Sequence, residues 1–339
     1  MRRGSVVQLV IFALVAGGIA TALALVPPWL PRPAGREAGR IDFVFWFVTV
    51  ICITIFAVVA AAIAYSVWKF RAAPDDESDG PPIHGHTGLE ITWTAIPTAL
   101  VVAIAIVSAI VLAKNGNAGS NPLKVNVTAQ QFAWSFSYPG HGSLTSGDLR
   151  LPLGRKVELK LRSLDVIHSF WVPEFGQKQD TVPGITTSLV ITPDRVGTYP
   201  VICTELCGLG HAVMRTSAIV MPAAQFDAWV NKQGKSLSSG SPSQAGKTVF
   251  VNNGCNSCHT LKAAGATAKI GPDLDKLPAE AKGAGKPLEA FVRESIVNPN
   301  AYVAPGFPKN VMPGTFSQLP KAQLDALVQY LISSSKGSG

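Results

Sequence analysis

The sequence predicts a chain of three parts: an N-terminal transmembrane α-hairpin, a β-sandwich and a C-terminal all-α domain. Charged residues make up 15% of the 339 residues, against about a quarter in ordinary soluble domains, and the deficit lies before Lys114. Apolar and polar residues then alternate from Leu123 to about Met221, which favours short strands. Helical patterns follow from Ala245 to the end of the chain. This composition argues against a wholly soluble enzyme.

The first segment without charges covers residues 5–30 and follows Arg2 and Arg3. It contains Ala22-Leu23-Ala24, a small-x-small pattern that is typical of a signal-peptide cleavage site. The sequence therefore predicts a signal peptide over residues 1–24, with a retained first membrane helix as the alternative.

Two transmembrane helices are predicted within residues 43–114. The apolar stretch 43–68 would span ~39 Å as a helix, longer than the ~30 Å hydrocarbon core. It ends at Lys69 and Arg71, and a second stretch, 91–113, ends at Lys114. Because positive residues mark cytoplasmic loops, everything after Lys114 is expected outside the cytoplasm. We therefore predict a multi-pass protein of a bacterial plasma membrane.

The alternating region predicts a β domain over residues 115–232. Its strand patterns include Leu123-Val125-Val127, Phe132-Trp134-Phe136-Tyr138 and Val157-Leu159-Leu161. Turn signals such as Pro139-Gly140 and Pro183-Gly184 separate the runs, as in a sandwich or barrel.

A Gly/Ser-rich linker is predicted over residues 233–244, followed by a small helical domain over 245–335. Helical patterns cover 245–251, 287–297 and 320–332. The net charge is +8, and no run of Lys or Arg supports nucleic-acid binding.

Candidate metal ligands are densest between Cys203 and Met214. Two thiols, an imidazole and a thioether stand within twelve positions, as Cys203, Cys207, His211 and Met214, and His168 lies 35 residues upstream. These soft and borderline ligands suit copper, and two cysteines four apart can bridge two metal ions. Zinc is an alternative that leaves Met214 unexplained, and a Cys203–Cys207 disulfide is another.

The helical domain carries a second motif, Cys255-Asn-Ser-Cys258-His259. This C-x-x-C-H pattern is typical of covalent haem attachment, with the histidine as an iron ligand. Met312 is the only methionine after Met221 and is the candidate sixth ligand.

The β domain and the helices before it resemble cytochrome c oxidase subunit II. The resemblance covers about 43–222 and rests on the segments 165–173, 178–184 and 203–214 together with Glu90-Ile-Thr-Trp93. It implies a cupredoxin-like sandwich with a binuclear copper A centre of two copper ions. The implied ligands are His168, Cys203, Glu205 through its backbone carbonyl, Cys207, His211 and Met214.

The same resemblance implies two further roles for carboxylates. The Glu205 side chain would reach a magnesium ion shared with subunit I. Glu90 would stand at a proton entrance, and a plain surface carboxylate explains it equally well. The sequence departs from the family at Phe132, where subunits that accept electrons from soluble cytochrome c carry Trp.

The C-terminal domain resembles a class I cytochrome c. Its Ile270-Gly271-Pro272-Asp273-Leu274 segment matches the one whose proline carbonyl accepts the N–H of the haem-ligating histidine. Pro272 would therefore orient His259.

Together, the resemblances imply an electron-transfer subunit of a membrane haem-copper oxidase. Haem c would pass electrons to copper A and on to haem in subunit I, which reduces oxygen and pumps protons. The implied partners are subunits I and III, membrane lipid and an external donor such as a cytochrome c or a quinol:cytochrome c reductase. A copper A-containing nitric-oxide reductase and a non-catalytic membrane copper-binding protein are the alternatives.

Overall fold

The computed structural model describes residues 3–71, 75, 82, 84–141, 144–239 and 242–336. The chain divides into two compact units, one of residues 1–32 with 39–115 and one of residues 33–38 with 116–339. The β domain and the C-terminal helical domain both belong to the second unit.

Three long helices make up the first unit: α1 (Arg3–Leu25), α2 (Arg36–Lys69, whose first residues belong to the second unit) and α3 (Thr87–Gly116). Each is long and apolar enough to cross a membrane. Their large apolar side chains are mostly exposed, as expected when lipid is the solvent. Most of the predicted cytoplasmic loop, namely residues 72–74, 76–81 and 83, lies outside the described residues.

A sandwich of two five-stranded sheets follows. Its strands are β1 (Leu123–Gln130), β2 (Ala133–Tyr138), β3 (Leu144–Ser146), β4 (Leu149–Pro152), β5 (Val157–Ser163), β6 (His168–Trp171), β7 (Lys178–Thr181), β8 (Thr187–Ile191), β9 (Gly197–Cys203) and β10 (Arg215–Met221). One sheet has the order β3-β2-β1-β5-β8 and the other β4-β10-β9-β6-β7. The predicted sandwich is therefore present.

The alternation seen in the sequence becomes the core of this sandwich. In β1 and β5 every second residue is buried, and their parallel register sets Val125 beside Leu159 and Val127 beside Leu161. Each fully buried Val or Leu side chain contributes about 1.5–3 kcal/mol of transfer free energy. The short segment 33–38 also packs here, since the Ala34 amide donates to the Glu174 carbonyl at 2.8 Å.

The C-terminal region is helical: α4 (Ala223–Ser239), α5 (Pro242–Asn252), α6 (Leu277–Gly283), α7 (Leu288–Val297) and α8 (Lys321–Lys336). Between α5 and α6 lies a two-stranded ladder of β11 (Thr260–Leu261) and β12 (Ala266–Thr267). The hydrophobic core of this helical domain includes Phe250, Phe291, Val292 and Leu327. The three predicted helical patterns correspond to α5, α7 and α8.

The interval 233–244, which the composition predicts as a linker, differs in the structure. Helix α4 continues to Ser239 and α5 begins at Pro242, with residues 240 and 241 outside the described residues. The physical reason lies before the Ser-rich run. Phe226 is buried in the sandwich core and Trp229 packs against it, which holds the first turns of α4 as a helix.

Candidate copper and haem sites

A β-hairpin brings the cysteine-rich segment together. Strands β9 and β10 are antiparallel, and the Cys203 amide donates to the Met214 carbonyl at 3.2 Å, so these two residues close the 204–213 loop. Strand β6 pairs with β9 on its other side, with Phe170 opposite Cys203. This pairing places His168, the first residue of β6, beside the hairpin end.

The six predicted ligands meet at this point. Cys203 Sγ lies 3.9 Å from His168 Nδ1, 3.9 Å from Cys207 Sγ and 3.3 Å from the Glu205 carbonyl oxygen. Cys207 Sγ lies 3.7 Å from His211 Nδ1 and 3.8 Å from Met214 Sδ. The arrangement is a continuous set of sulfur, nitrogen and oxygen donors centred on two thiols.

The chemistry of this donor set fits copper. Both thiols are free and their sulfurs are 3.9 Å apart, about twice the ~2.05 Å of a disulfide bond. Cys203, Cys207, Met214 and His168 are buried, which excludes water from the soft donors. A thioether among the donors is unusual for zinc and common for copper.

The electrostatics of the two thiols differ. Burial raises the pKa of Cys203, but hydrogen bonds from His168 and from the loop backbone outweigh it and lower the pKa to about 6. Burial and the neighbouring Cys203 charge raise the pKa of Cys207. Cys203 therefore forms a thiolate readily. A cation bound to that thiolate would favour ionisation of Cys207 as well.

Asp165, to which the sequence analysis assigns no role, orients the buried His168. Its Oδ1 is 2.8 Å from His168 Nε2, which leaves Nδ1 directed at Cys203. Its Oδ2 accepts the Gln131 amide at 2.7 Å. A carboxylate behind a ligating histidine fixes the ring and its tautomer. The signal in the sequence was an acidic residue three positions before His168.

The two carboxylates with implied proton or magnesium roles are both exposed. Glu205 presents its side chain outward while its carbonyl faces Cys203. Glu90 lies in the first turn of α3 and accepts the His86 amide at 3.2 Å, as a helix-capping carboxylate does.

The C-x-x-C-H motif follows α5 in a tight turn. Cys255 begins this turn and Cys258 ends it. His259 Nδ1 lies 2.8 Å from the Pro272 carbonyl oxygen, which is the contact that the cytochrome resemblance predicts. Burial lowers the pKa of His259 and outweighs the hydrogen bond to Pro272, which acts in the opposite direction. The ring is therefore neutral at pH 7. Gly271, which sequence analysis left without a role, packs on the ring: a Cβ there would lie 2.5 Å from His259 Cε1.

A largely apolar cavity opens beside this motif and fits a porphyrin. Cys255, Cys258, His259 and Met312 all line it. Hydrophobic side chains of the helical domain form the rest of its wall, including Ile270, Leu277, Phe291, Val292, Phe316 and Leu331. The two thiols, the imidazole and the thioether therefore face one chamber, as covalent attachment and His/Met ligation require.

Three family profiles match the chain in succession. "Cytochrome C oxidase subunit II, transmembrane domain" matches residues 30–111, "Cytochrome C oxidase subunit II, periplasmic domain" matches 145–222, and "Cytochrome c" matches 243–335. Cytochrome c oxidase subunit 2 of Alkalihalophilus pseudofirmus is 33% identical over 318 residues, which cover 89% of each chain. The chain belongs to the cytochrome c oxidase subunit 2 family. The Bacillus subtilis protein of that name is 30% identical over 342 residues, which cover 91% of this chain and 95% of that protein.

Membership of the cytochrome c oxidase subunit 2 family confirms the main sequence predictions. The chain is subunit II of a haem-copper oxidase and carries a fused cytochrome c domain. The two families imply copper A and haem c, and subunit II implies association with other oxidase subunits. The apolar helices and the transmembrane profile make it a membrane protein. A solved periplasmic domain of a Bradyrhizobium japonicum oxidase subunit II is also similar, at 26% identity and a TM-score of 0.34, over 35% of this chain and 98% of that one.

Proposed function

We propose that this chain takes up electrons at its cytochrome domain and delivers them through its sandwich to subunit I, on the extracytoplasmic side of a bacterial plasma membrane. When bound, a covalent haem c and a binuclear copper A centre would supply the one-electron transfer. The copper ligands are His168, Cys203, the Glu205 carbonyl, Cys207, His211 and Met214, and the haem residues are Cys255, Cys258, His259 and Met312.

The observation that carries the proposal is the unbroken set of donors in the hairpin. Cys203 and Cys207 stand at its centre, and the remaining donors lie at 3.3–3.9 Å from one of the two sulfurs. Two thiols with further donors on either side would hold copper ions through soft ligands, and the bound copper would supply one-electron transfer. The sandwich holds these donors on strands β6 and β9 and on the loop that joins β9 to β10, so they would need little rearrangement during a redox change.

At the cytochrome site the protein's role is to fix the iron ligands. The Pro272 carbonyl accepts the Nδ1 proton of His259 and leaves Nε2 for the cavity. Met312 also lines the cavity, and together with His259 it would hold the haem iron and raise its reduction potential towards that of an electron carrier.

The partners follow from this role. Subunit I, with subunit III, would receive the electrons, reduce oxygen and pump protons. The exposed Glu205 carboxylate is available for a magnesium ion shared with subunit I, and Glu90 for proton uptake. The external donor is a cytochrome c or a quinol:cytochrome c reductase, and the co-purifying catalytic subunit separates an oxygen-reducing complex from a nitric-oxide-reducing one.

The test is metal and haem analysis of the full chain, matured in a bacterial membrane and purified in detergent. We expect two copper ions and one covalent haem per chain. Cys207→Ser should lose copper and keep haem, Cys255→Ser with Cys258→Ser should lose covalent haem and keep copper, and Cys52→Ser in α2 is the matched control that keeps both. Zinc in place of copper, or fewer than two coppers in the wild type, would contradict the proposal.

A further inference from the structure

We propose that Asn300 and Asn310 form a latch that keeps Met312 in place at the haem cavity, and that this latch closes the sixth position of the iron to small molecules. The two asparagines are positioning residues, because they act through Met312. The inference rests on the proposed function, in which Met312 is an iron ligand. We call residues 298–313, which follow α7 and end just after Met312, the methionine loop.

The methionine loop has little regular structure of its own. Its residues are all described by the structure, and they form no helix or strand. Two backbone bonds within it close local turns: the Ala301 amide donates to the Asn298 carbonyl at 3.0 Å, and the Phe307 amide donates to the Ala304 carbonyl at 3.2 Å. Neither bond ties the start of the loop to the end that carries Met312.

A longer-range hydrogen bond joins the two ends of the loop. The Asn310 backbone amide donates to Asn300 Oδ1 at 2.8 Å, across ten positions of the chain. This distance is within the normal range for an N–H···O bond. Both asparagines line the haem cavity and both are exposed, so the bond lies at the mouth of the cavity. It therefore fastens the segment that leads into Met312.

The backbone at Asn310 is shaped for this bond. Its φ is +60°, in the left-handed region, and no other described residue except glycine has a positive φ. Asparagine adopts this conformation more readily than most residues with a side chain, whereas a β-branched residue is strongly disfavoured there. The choice of residue at 310 and the hydrogen bond to Asn300 thus specify the same loop conformation.

On its C-terminal side, Met312 is held by a different structure. Pro313 has a φ of −70° and precedes the 3-10 helix Gly314–Gln318, whose Phe316 is buried in the core of the helical domain. Met312 is itself partly buried against that core. Movement of Met312 away from the cavity therefore depends on the segment before it, which the latch holds.

A closed sixth position suits an electron carrier that works beside an oxygen-reducing site. The surroundings of a haem and access to its iron decide whether it binds small molecules or only transfers electrons. With the latch closed, His259 and Met312 would occupy both axial positions. The latch would thus keep dissolved gases from the haem of the cytochrome domain.

The test is carbon monoxide binding to the reduced, haem-loaded full chain, purified in detergent without subunit I. Carbon monoxide binds only after the sixth ligand leaves, so its binding rate reports how often Met312 is displaced. Asn300→Ala removes the acceptor and should raise the rate about two- to tenfold, the range for one hydrogen bond. Asn310→Val keeps the amide but disfavours the left-handed backbone, and should raise the rate about 5- to 30-fold.

Three control variants separate the latch from a general loosening of the domain. Asn300→Asp keeps an acceptor oxygen and should stay near the wild-type rate. Asn310→Gly adopts the left-handed backbone without steric cost and should stay far below the valine variant. Gln323→Ala removes an exposed side-chain amide on α8, outside the cavity lining, and should leave the rate unchanged.

Hydrogen exchange gives a second readout that does not depend on the haem. The Asn310 amide should exchange faster in Asn300→Ala than in the wild type, by the same two- to tenfold factor of about one hydrogen bond. Asn300→Asp should restore the slow exchange, because its carboxylate oxygen can accept the same N–H.

The outcomes separate the latch from the proposed function. Wild-type carbon monoxide rates in both Asn300→Ala and Asn310→Val would overturn the latch, as would equal rates for alanine and aspartate at 300. The two variants at 300 decide the matter if the valine variant does not fold. Met312→Ala should bind carbon monoxide fastest. If it binds no faster than the wild type, Met312 is not an iron ligand and that part of the proposed function fails.

Discussion

The two histidines at the cofactor sites are oriented through opposite ring nitrogens. His168 meets Asp165 through Nε2 and presents Nδ1 to Cys203, whereas His259 meets the Pro272 carbonyl through Nδ1 and leaves Nε2 for the cavity. Each partner fixes the tautomer that leaves the other nitrogen free to ligate. Residue identity alone predicts the two ligands, but the choice of nitrogen depends on neighbours that only the fold brings close.

Gly271 gives a prediction at this scale, because its lack of a side chain lets His259 take its position. Gly271→Ala would place a Cβ 2.5 Å from His259 Cε1 and 2.8 Å from Nδ1, so the ring must turn away from Pro272. Overpacking of this kind costs about 1–3 kcal/mol. We expect a lower midpoint of thermal unfolding and a weakened His/Met haem spectrum in the full chain.

The matched control for this change is Gly283→Ala at the end of α6. A Cβ there meets nothing within 4 Å, and its backbone is helical. The control should therefore keep the wild-type midpoint and spectrum. An alanine at 271 that leaves both unchanged would show that the close approach to His259 has no effect on ligation.

At the scale of elements, local pattern predicts most of the fold and misses its long-range pairings. Alternation identified β1, β2 and β5, and three helical patterns identified α5, α7 and α8. The parallel pairings β1–β5 and β4–β10 join strands far apart in sequence, and no local pattern specifies them. The Ser-rich end of α4 was predicted as a linker because its helix depends on packing at Phe226, outside that run.

The first turn of α2 supplies a prediction at this scale. The Glu37 carboxylate is buried in the second unit, where it accepts the Thr192 amide at 2.6 Å and the Thr192 hydroxyl at 3.0 Å. Glu37→Ala would leave both donors buried without this acceptor, at about 1–3 kcal/mol for each unsatisfied group. We expect the sandwich to unfold at lower denaturant concentration, measured on the full chain in detergent.

Asp227→Ala on the exposed face of α4 serves as the control for this loss of a carboxylate. It should change the free energy of unfolding by less than about 0.5 kcal/mol, the usual range for a surface change. Equal shifts for the two variants would mean that the Glu37 contact adds nothing to the stability of the sandwich.

For the whole molecule, the sequence predicts a copper site and a haem site, but it does not predict that the residues of the two sites share a wall. The copper ligands span positions 168–214 and the haem residues 255–312, so each set is visible as a motif. Residues Gln130–Ala133, which join β1 to β2 and line that wall, form no motif: Gln130 and Ala133 are ordinary strand-end residues. They matter only because Thr315 and Gly254, more than a hundred positions later, pack against them.

The orientation of the chain in the membrane is a prediction about the whole molecule. Lys69 ends α2 and Arg71 follows it, and positive residues next to a membrane span are retained in the cytoplasm. Everything after α3 should then lie on the opposite side, where thioether attachment of haem is expected. In spheroplasts, a membrane-impermeant thiol reagent should label Lys124→Cys, an exposed position in β1. His84→Cys, exposed before α3, should react only after the membrane is permeabilised. The wild-type chain measures background from its own cysteines, and labelling of His84→Cys in sealed spheroplasts would reverse the orientation and place the copper and haem residues inside the cell.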